Sequence, residues 1–562
     1  MELKASASQE RLKGLGLITA GVLQAGRGSA KMEPAVRNRP RSWAWLPYVL
    51  AAAFALWSLR GAGNGSIADT DAARHFMNGA FVHDLIAGGH MRRPIEFAKE
   101  YYGRLPALSM PFHPPLFPAI EALFFFVFGV KLLAARAAVA LAVGVSAILF
   151  YRLLRATHGS DLLAACVTIS LFSLSISQLV ATDVMLEYPS LVFTLAALYC
   201  VRDFDDGYPL GRALLFAVVA AAAVWTKQFA VFLGAVPPVC AFFQRRWNVL
   251  FGKAMWLSSV FFACAVIGLM SLSAPFHNAG PNQLPTESHA MLAMLKLNLG
   301  YYGPDILRYM IGLPGVFTIC AGFAFAWLVY KGAWRDLRLG LYVAWAALLI
   351  PILLLVYNDD RYFFNLFPAL MTIGFVLLYR ASSVLFGERR ARLAPAALAA
   401  AWAVAGLSFH PEFLRGPAEA AAMVAPAAPT RVLYAGDADG NFIAAIRMLD
   451  PKLKTSVIPG EKLPPETFRA EAFERFCRRY GIGWVVLENS SAQEMKAAES
   501  EWAALLSAPT PSMKLDRSIP LESSRTRWHG TVEVFRFISA AKPEGTLELP
   551  VREIGGQVEA EP

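Results

Sequence analysis

Charge is scarce in this chain of 562 residues: Asp, Glu, Lys and Arg together make up 17%, against 56% apolar residues. With a mean hydropathy of +0.44, so thin a polar complement excludes a disordered chain and points to a polytopic α-helical membrane protein. Cysteine is sparse as well. The six residues Cys166, Cys200, Cys240, Cys264, Cys320 and Cys477 form no CxxC pair and show no metal-ligand spacing. They read as small core residues, with no redox or zinc centre. No P-loop or dinucleotide fingerprint occurs either, so no nucleotide-binding element is legible. The net charge of +10 does not read as a nucleic-acid surface. The Arg and Lys residues gather between apolar runs, as they do in cytoplasmic loops.

Those runs organise the chain. Eleven of them, from 43–60 through 132–154, 161–181, 187–202, 210–226 and 227–244 to 394–409, are long enough, or nearly so, to cross a bilayer. Arg37, Arg39 and Arg41, then Arg152 and Arg155, Arg245 and Arg246, Lys331, Arg335 and Arg338, and Arg389, Arg390 and Arg392 flank alternate ends. Placing them all in the cytoplasm puts the N-terminus inside and the C-terminus outside. The segment HPPLFPAIEALFFFVFG (113–129) would reverse every later cluster if it crossed. It is therefore expected to be an interfacial or re-entrant helix. Residues 1–42 read as a disordered basic cytoplasmic tail, in which Met32 is an alternative start. The membrane domain covers 43–410, with a long first outer loop at 61–131. A small extracytoplasmic α/β domain covers 411–540, with strands at RVLYAG (431–436), TSVIP (455–459), GWVVLEN (483–489) and TVEVFRFI (531–538). Residues 541–562 read as a loose tail.

The chemistry-bearing residues collect at the outward turns. Asp69, Asp71 and Arg74 open a helix-like stretch, SIADTDAARHFMNGAFVHDL, just after the first span. Glu187, Lys227 and Arg361 fall on the same side by the parity of the spans. Ionisable groups beside apolar spans are costly and tend to mark function. Two carboxylates with two or three cations suit a general base beside an anion-stabilising pair, with Arg as a fork and Lys as a point charge. Asp84 and the pair Asp359–Asp360 read as solvated, although one of that pair could meet Arg361. His75 and His83 read as packing residues, so no dedicated metal site is expected. A cavity with two carboxylates could nonetheless take a divalent cation with waters. The D-x-D-x-N start of GDADGN (436–441) fails the calcium-loop pattern at Phe442 and Met448. It reads as a strand-to-helix turn capped by Asp or Asn.

The ordered set DAARHFMNGAFVHDL, HPPLFPAIEALFFFVFG, DVMLEYPSL, WTKQFAVFL and DDRYFFNLFPAL resembles the GT-C superfamily of polyprenyl-phosphate-sugar glycosyltransferases. The bacterial relatives of aminoarabinose transferase and protein O-mannosyltransferase are the branch it is most similar to. The resemblance spans about residues 40–410. It implies a GT-C-like fold of about eleven transmembrane helices in the bacterial cytoplasmic (inner) membrane, with the active site on the outer side. It implies Asp71 at or near the catalytic base and Glu187 as the second acid. Lys227, Arg361 and Tyr362 would then lie at the donor phosphate, with Arg74 beside them and Asp69 and His113 in reserve. Ala72 stands where the family often has a second acid, and Asp183 lies near its usual Arg. The implied reaction is inverting transfer of a sugar from a polyprenyl-phosphate donor to a lipid, glycan or protein hydroxyl, with no certain cofactor. The competing reading is a transporter or lipid flippase, and a third is a non-catalytic envelope scaffold.

Overall fold

The structure, a computed structural model, describes residues 43–62, 67–204, 207–273, 291–300, 313–333, 337–355, 359–490, 499–524, 529–538, 547–551 and 556–560. The basic tail and most of the 275–309 loop lie outside the described residues. Apolar runs become helix where the sequence leads one to expect it: Leu46–Ser58, Leu132–His158, Glu187–Cys200, Leu210–Thr226, Lys253–Ser273, Leu313–Tyr330, Gly340–Leu355, Phe367–Phe386 and Leu393–Leu407. Three of the described helices are long and apolar enough to cross a membrane, or four if one bent pair counts as a single span. Shorter apolar helices of 10–17 residues accompany them. Their outer faces stay greasy: Trp256, Val260 and Ile267 on Lys253–Ser273 are all exposed, as a lipid-facing surface requires. Small residues set the close contacts. A Cβ on Gly144 would sit 3.3 Å from the Ala51 carbonyl, so Leu46–Ser58 packs tightly on Leu132–His158.

Two runs depart from the expected straight spans. The 161–181 run breaks into Asp161–Ser173 and Ser175–Thr182, bent by 66°, because Leu174 is extended at φ −61°, ψ 142°. Such a break frees backbone carbonyls, which need partners away from water. Gln178 supplies them: its Nε2 donates to Ser173 O and Gly406 O, both at 3.0 Å. Its Oε1 accepts from Trp57 Nε1 and Arg60 Nη2. The 227–244 run is a 3-10 segment, Gln228–Ala235, followed by a short helix, Val236–Phe243. Pro237 and Pro238 at the start of that helix cannot donate to a preceding helical turn, so one continuous helix is excluded.

Five helices position the site. They are α1 (Thr70–Ala87), α2 (Leu116–Phe128), α3 (Leu132–His158), α4 (Glu187–Cys200) and α5 (Leu210–Thr226). Helix α2, the ambiguous 113–129 segment, buries Phe117, Glu121 and Phe125 and leaves Leu123, Phe126, Val127 and Phe128 exposed. Phe125 packs edge-on against Phe76 of α1.

The C-terminal residues form a six-stranded mixed sheet, order β1-β5-β6-β4-β2-β3. The strands are β1 (Leu414–Arg415), β2 (Thr430–Ala435), β3 (Thr455–Pro459), β4 (Ile482–Ser490), β5 (Met513–Ser523) and β6 (Gly530–Phe537). Strands β2, β3 and β4 run parallel, whereas β6 and β5 add antiparallel. Alternation divides β2. Val432 and Tyr434 join the core shared with the helical domain, while Leu433 and Ala435 pack in a separate cluster with Phe473, Cys477 and Trp502. With both faces covered, the strand reads as a continuous apolar run. Helix α6 (Asp439–Leu449) lies on the shared face against α1. Where a loose tail was expected, β7 (Leu547–Val551) and β8 (Gly556–Ala560) pair as an antiparallel hairpin, with Leu549 and Val558 buried.

Candidate active site

Helix α1 begins at a polar corner. Asp69 is extended and its carboxylate accepts from Asp71 N at 2.8 Å, capping the helix. The chain entering this cap is held by Asp183, whose Oδ2 accepts from Ala68 N and Asp69 N, both at 3.1 Å. Arg136 of α3 stands 4.0 Å from the same carboxylate. Burial pushes the Asp183 carboxyl up, against the pull of Arg136. Asp183 therefore acts as a backbone anchor, and its cation is Arg136, nearly fifty residues away in sequence. No local motif announces that pairing.

The expected residues converge. Arg361 Nη2 donates to Asp71 Oδ2 at 2.8 Å, and its Nη1 lies 3.7 Å from Asp69 Oδ1. Its Nε donates to both oxygens of Asp359 at 3.0 Å. Asp359 is thus an ion-pair partner, not simply a solvated loop residue. Beside them Lys227 Nζ meets Glu187 Oε1 at 2.6 Å, with both side chains nearly buried. The Lys227 ammonium also lies 5.1 Å from the Tyr362 ring centre and 5.5 Å from that of Phe229. The chain breaks that puzzle a span count explain the placement. Lys227 is extended, at φ −153°, between α5 and the 3-10 segment. Arg361 follows the extended Asp359 into another 3-10 turn, Asp360–Asn365.

Asp71 is the open acid of the group. Its side chain is 36% exposed, whereas those of Glu187 and Asp69 are 3% and 9% exposed. Burial works to raise its pKa, but Arg361, with smaller contributions from His75 and His113, holds the carboxyl well below the ordinary range. Arg361 stays firmly protonated despite burial, because Asp359, Asp69 and Glu187 surround it. Arg74, also on α1, stands 3.9 Å from Asp71 and is 39% exposed. His113 does reach the site. Its ring meets that of His75 edge-on at 4.4 Å, and burial pushes both pKa values down, that of His75 to about 3. Gln228 Nε2 donates to Phe112 O at 2.5 Å, tying the Lys227 corner to the His113 loop. Among the described residues no group of three or more His, Cys, Asp and Glu side chains could hold a metal ion.

Two expectations fail. Asp84 is no solvated residue: Arg447 of α6 donates to its two oxygens at 2.8 and 2.5 Å, and Tyr101 donates at 3.1 Å. The GDADGN turn has no side-chain cap at its N-cap residue Ala438, and of its own acids Asp439 accepts a backbone bond, from Gly440 N at 2.6 Å. The backbone N–H groups of Asp437 and Ala438 donate to Glu488 of β4, both at 2.9 Å, as does the Tyr434 hydroxyl. Gly436 is required there, because a Cβ would lie 2.2 Å from the Glu488 carboxyl carbon. Asn441 turns away from the cap and donates to Ile67 O at 2.8 Å.

Residues 112–270, which carry α2 to α5 and Lys227, match the family described as dolichyl-phosphate-mannose-protein mannosyltransferase. Most of the chain superposes on ArnT from Cupriavidus metallidurans bound to undecaprenyl phosphate. That match has a TM-score of 0.54 at 14% identity and covers 90% of this chain and 100% of the other. The apo form of the same ArnT gives 0.54 at 16%, covering 89% and 99%. The chain thus has an ArnT-like fold. No curated protein sequence matches the chain. The GT-C resemblance read from ordered short motifs is therefore borne out across the helical domain, and the sheet domain also lies within the ArnT-like architecture.

Proposed function

We propose that the protein is a membrane glycosyltransferase. It would take a sugar from a polyprenyl-phosphate donor and pass it, with inversion, to a hydroxyl of a lipid, glycan or protein at the outer face of the cytoplasmic membrane. The observation that carries this reading is the half-open Asp71 in the grip of Arg361, beside a buried Lys227–Glu187 pair, in a fold shared with a protein that holds undecaprenyl phosphate. Asp71 accepts the acceptor hydroxyl's proton as oxygen attacks the anomeric carbon. The departing phosphate gathers charge where Arg361 and Lys227 are already oriented. Glu187 keeps Lys227 in place, Tyr362 walls the pocket, and Arg74 meets the phosphate or the acceptor at the rim. Asp69 and Asp359 share Arg361 with Asp71.

The ion pair itself suggests an order of events. While Arg361 holds Asp71 the carboxylate is a poor base, because its charge is already neutralised. A donor phosphate that draws the guanidinium toward itself releases Asp71 and raises its basicity only when donor is present. The test supplies membranes with a panel of synthetic undecaprenyl-phosphate hexoses and pentoses and follows release of undecaprenyl phosphate together with sugar transfer. Release with transfer in wild type, lost in a well-expressed Asp71→Asn variant, is the expected result. Movement of the intact lipid across proteoliposomes with no covalent change would instead favour the flippase.

A further inference from the structure

The sheet domain touches α1 at three points. Asn441 Nδ2 donates to Ile67 O, two residues before Asp69. A Cβ on Gly440 would stand 3.5 Å from Ala73 Cβ and 3.6 Å from Thr70 O, so the first turn of α6 lies directly on the first turn of α1. At the other end Arg447 grips Asp84 with two bonds, its side chain 4% exposed. The two helices therefore run side by side in the same direction, pinned fore and aft. Glu488 fixes the turn that launches α6 through the N–H groups of Asp437 and Ala438. None of these residues reaches Asp71 or Arg361 directly.

We propose that the sheet domain is a positioning element for the site: Asn441 and Arg447 of α6 clamp the two ends of α1 and hold Asp71 in register with Arg361. The inference rests on the glycosyltransferase reading for its purpose, but not for its geometry. Asp71 sits in the first turn of α1, and a helix held at one end only can slide or tilt about the other. A shift of about 1 Å at a reacting group costs on the order of a hundredfold in rate. The alternative role for such a domain, direct recognition of substrate, would place its side chains at the reacting groups. Here Asn441 and Arg447 meet the chain at Ile67 and Asp84, away from Asp71, while Asp439 comes within electrostatic reach of Arg74 at the rim.

The experiment uses the full chain in nanodiscs, with Asn441→Ala, Arg447→Ala and the exchanged pair Asp84→Arg/Arg447→Asp. Three quantities are read: affinity for undecaprenyl phosphate alone, turnover on whichever donor of the panel the wild type accepts, and amide hydrogen exchange across residues 67–75. The expected result is a fall in turnover of about 10- to 100-fold in the single variants, with undecaprenyl phosphate affinity kept within about twofold. Exchange across 67–75 rises, and the exchanged pair recovers part of both losses. Asn441→Ala removes a single hydrogen bond, a small loss, and so keeps the test alive if Arg447→Ala does not fold. Wild-type turnover and exchange in the folded single variants would overturn the clamp. So would affinity falling in step with turnover, which is the mark of a substrate-binding role. Asp71→Asn, run alongside, isolates the underlying reading: wild-type turnover in that variant removes Asp71 from the chemistry, whatever the exchange data show about the clamp.

Discussion

Helix α1 carries an aspartate–arginine pair at each end, and the two are built for different work. At its start Asp71 is 36% exposed and meets an Arg361 that also serves Asp359 and Asp69. At its end Asp84 is 10% exposed, and Arg447 grips both of its oxygens, with Tyr101 and His83 also bonded to the carboxylate. An open pair whose cation is shared among carboxylates can be rearranged by an incoming phosphate. A closed pair with dedicated donors cannot be taken apart cheaply, because removing one partner strands a buried charge. The same two residue types thus give an accessible corner and a buried anchor, and exposure and the number of competing partners separate them.

The largest effect should come from the open pair. Asp71→Asn keeps the shape but removes the proposed base, and turnover should drop by about 10²- to 10⁴-fold. A matching loss in Asp84→Asn would erase the distinction between the two ends. Next comes Arg361→Lys. An ammonium cannot reproduce the fork that bridges Asp71 and Asp359. Losing charge-assisted bonds of about 1.5–3 kcal/mol should weaken undecaprenyl phosphate binding by about 10- to 100-fold, as read by titration. Unaltered binding would move the phosphate site away from Arg361.

A third contrast lies midway along α1. Glu121 of α2 is fully buried, and among the described residues neither of its carboxyl oxygens has a hydrogen-bond partner. It fits only because residue 79 is glycine: a Cβ there would stand 2.2 Å from Glu121 Oε2. Gly79→Ala should therefore destabilise the protein by about 1–3 kcal/mol through overpacking, and Glu121→Ala in the same chain should relieve it. If the double variant is no more stable than Gly79→Ala alone, the contact is not what holds these helices apart.

The open corner was legible in the sequence and the anchor was not, for a physical reason. Asp71, Glu187, Lys227 and Arg361 each lie at or near an end of an apolar run, so the parity of the runs alone groups them. Asp84 and Arg447 are 363 positions apart, and Arg447 lies in a helix whose own pattern reports only its buried face. Asp183 and Glu488 gave no signal of their roles for a related reason. An acid that accepts backbone N–H bonds from a distant turn looks, in sequence, like any loop acid. The strands of the sheet domain were visible as apolar runs, but β5, with mostly exposed residues between Met513 and Ile519, and the β7–β8 hairpin lack that signal. Chain breaks at Leu174 and in 228–235 hid inside uniformly apolar stretches, where hydropathy does not distinguish a helix from a 3-10 segment.

The last expected difference is in how the two regions answer pH. Asp71 is held below its unfolded value of 3.8 by Arg361 in spite of burial. Its stabilising contribution is therefore present above that pH and lost as pH falls below it. Glu488 behaves in the opposite sense. Burial lifts its pKa from 4.5 to about 7, against the bonds from Tyr434, Ala438 and Asp437, and burial lifts Asp439 to about 6. For a raised carboxyl the contribution is complete below the unfolded pKa and disappears as pH rises through the folded one. The thermal midpoint of the sheet domain should accordingly fall between pH 4.5 and 7. Glu488→Gln, neutral at every pH, should flatten most of that slope and leave only the part below pH 6 that belongs to Asp439. A slope of unchanged size in the variant would mean that the turn beneath α6 is held by its backbone path and not by the charge state of Glu488. The clamp on α1 would then be insensitive to pH in this range.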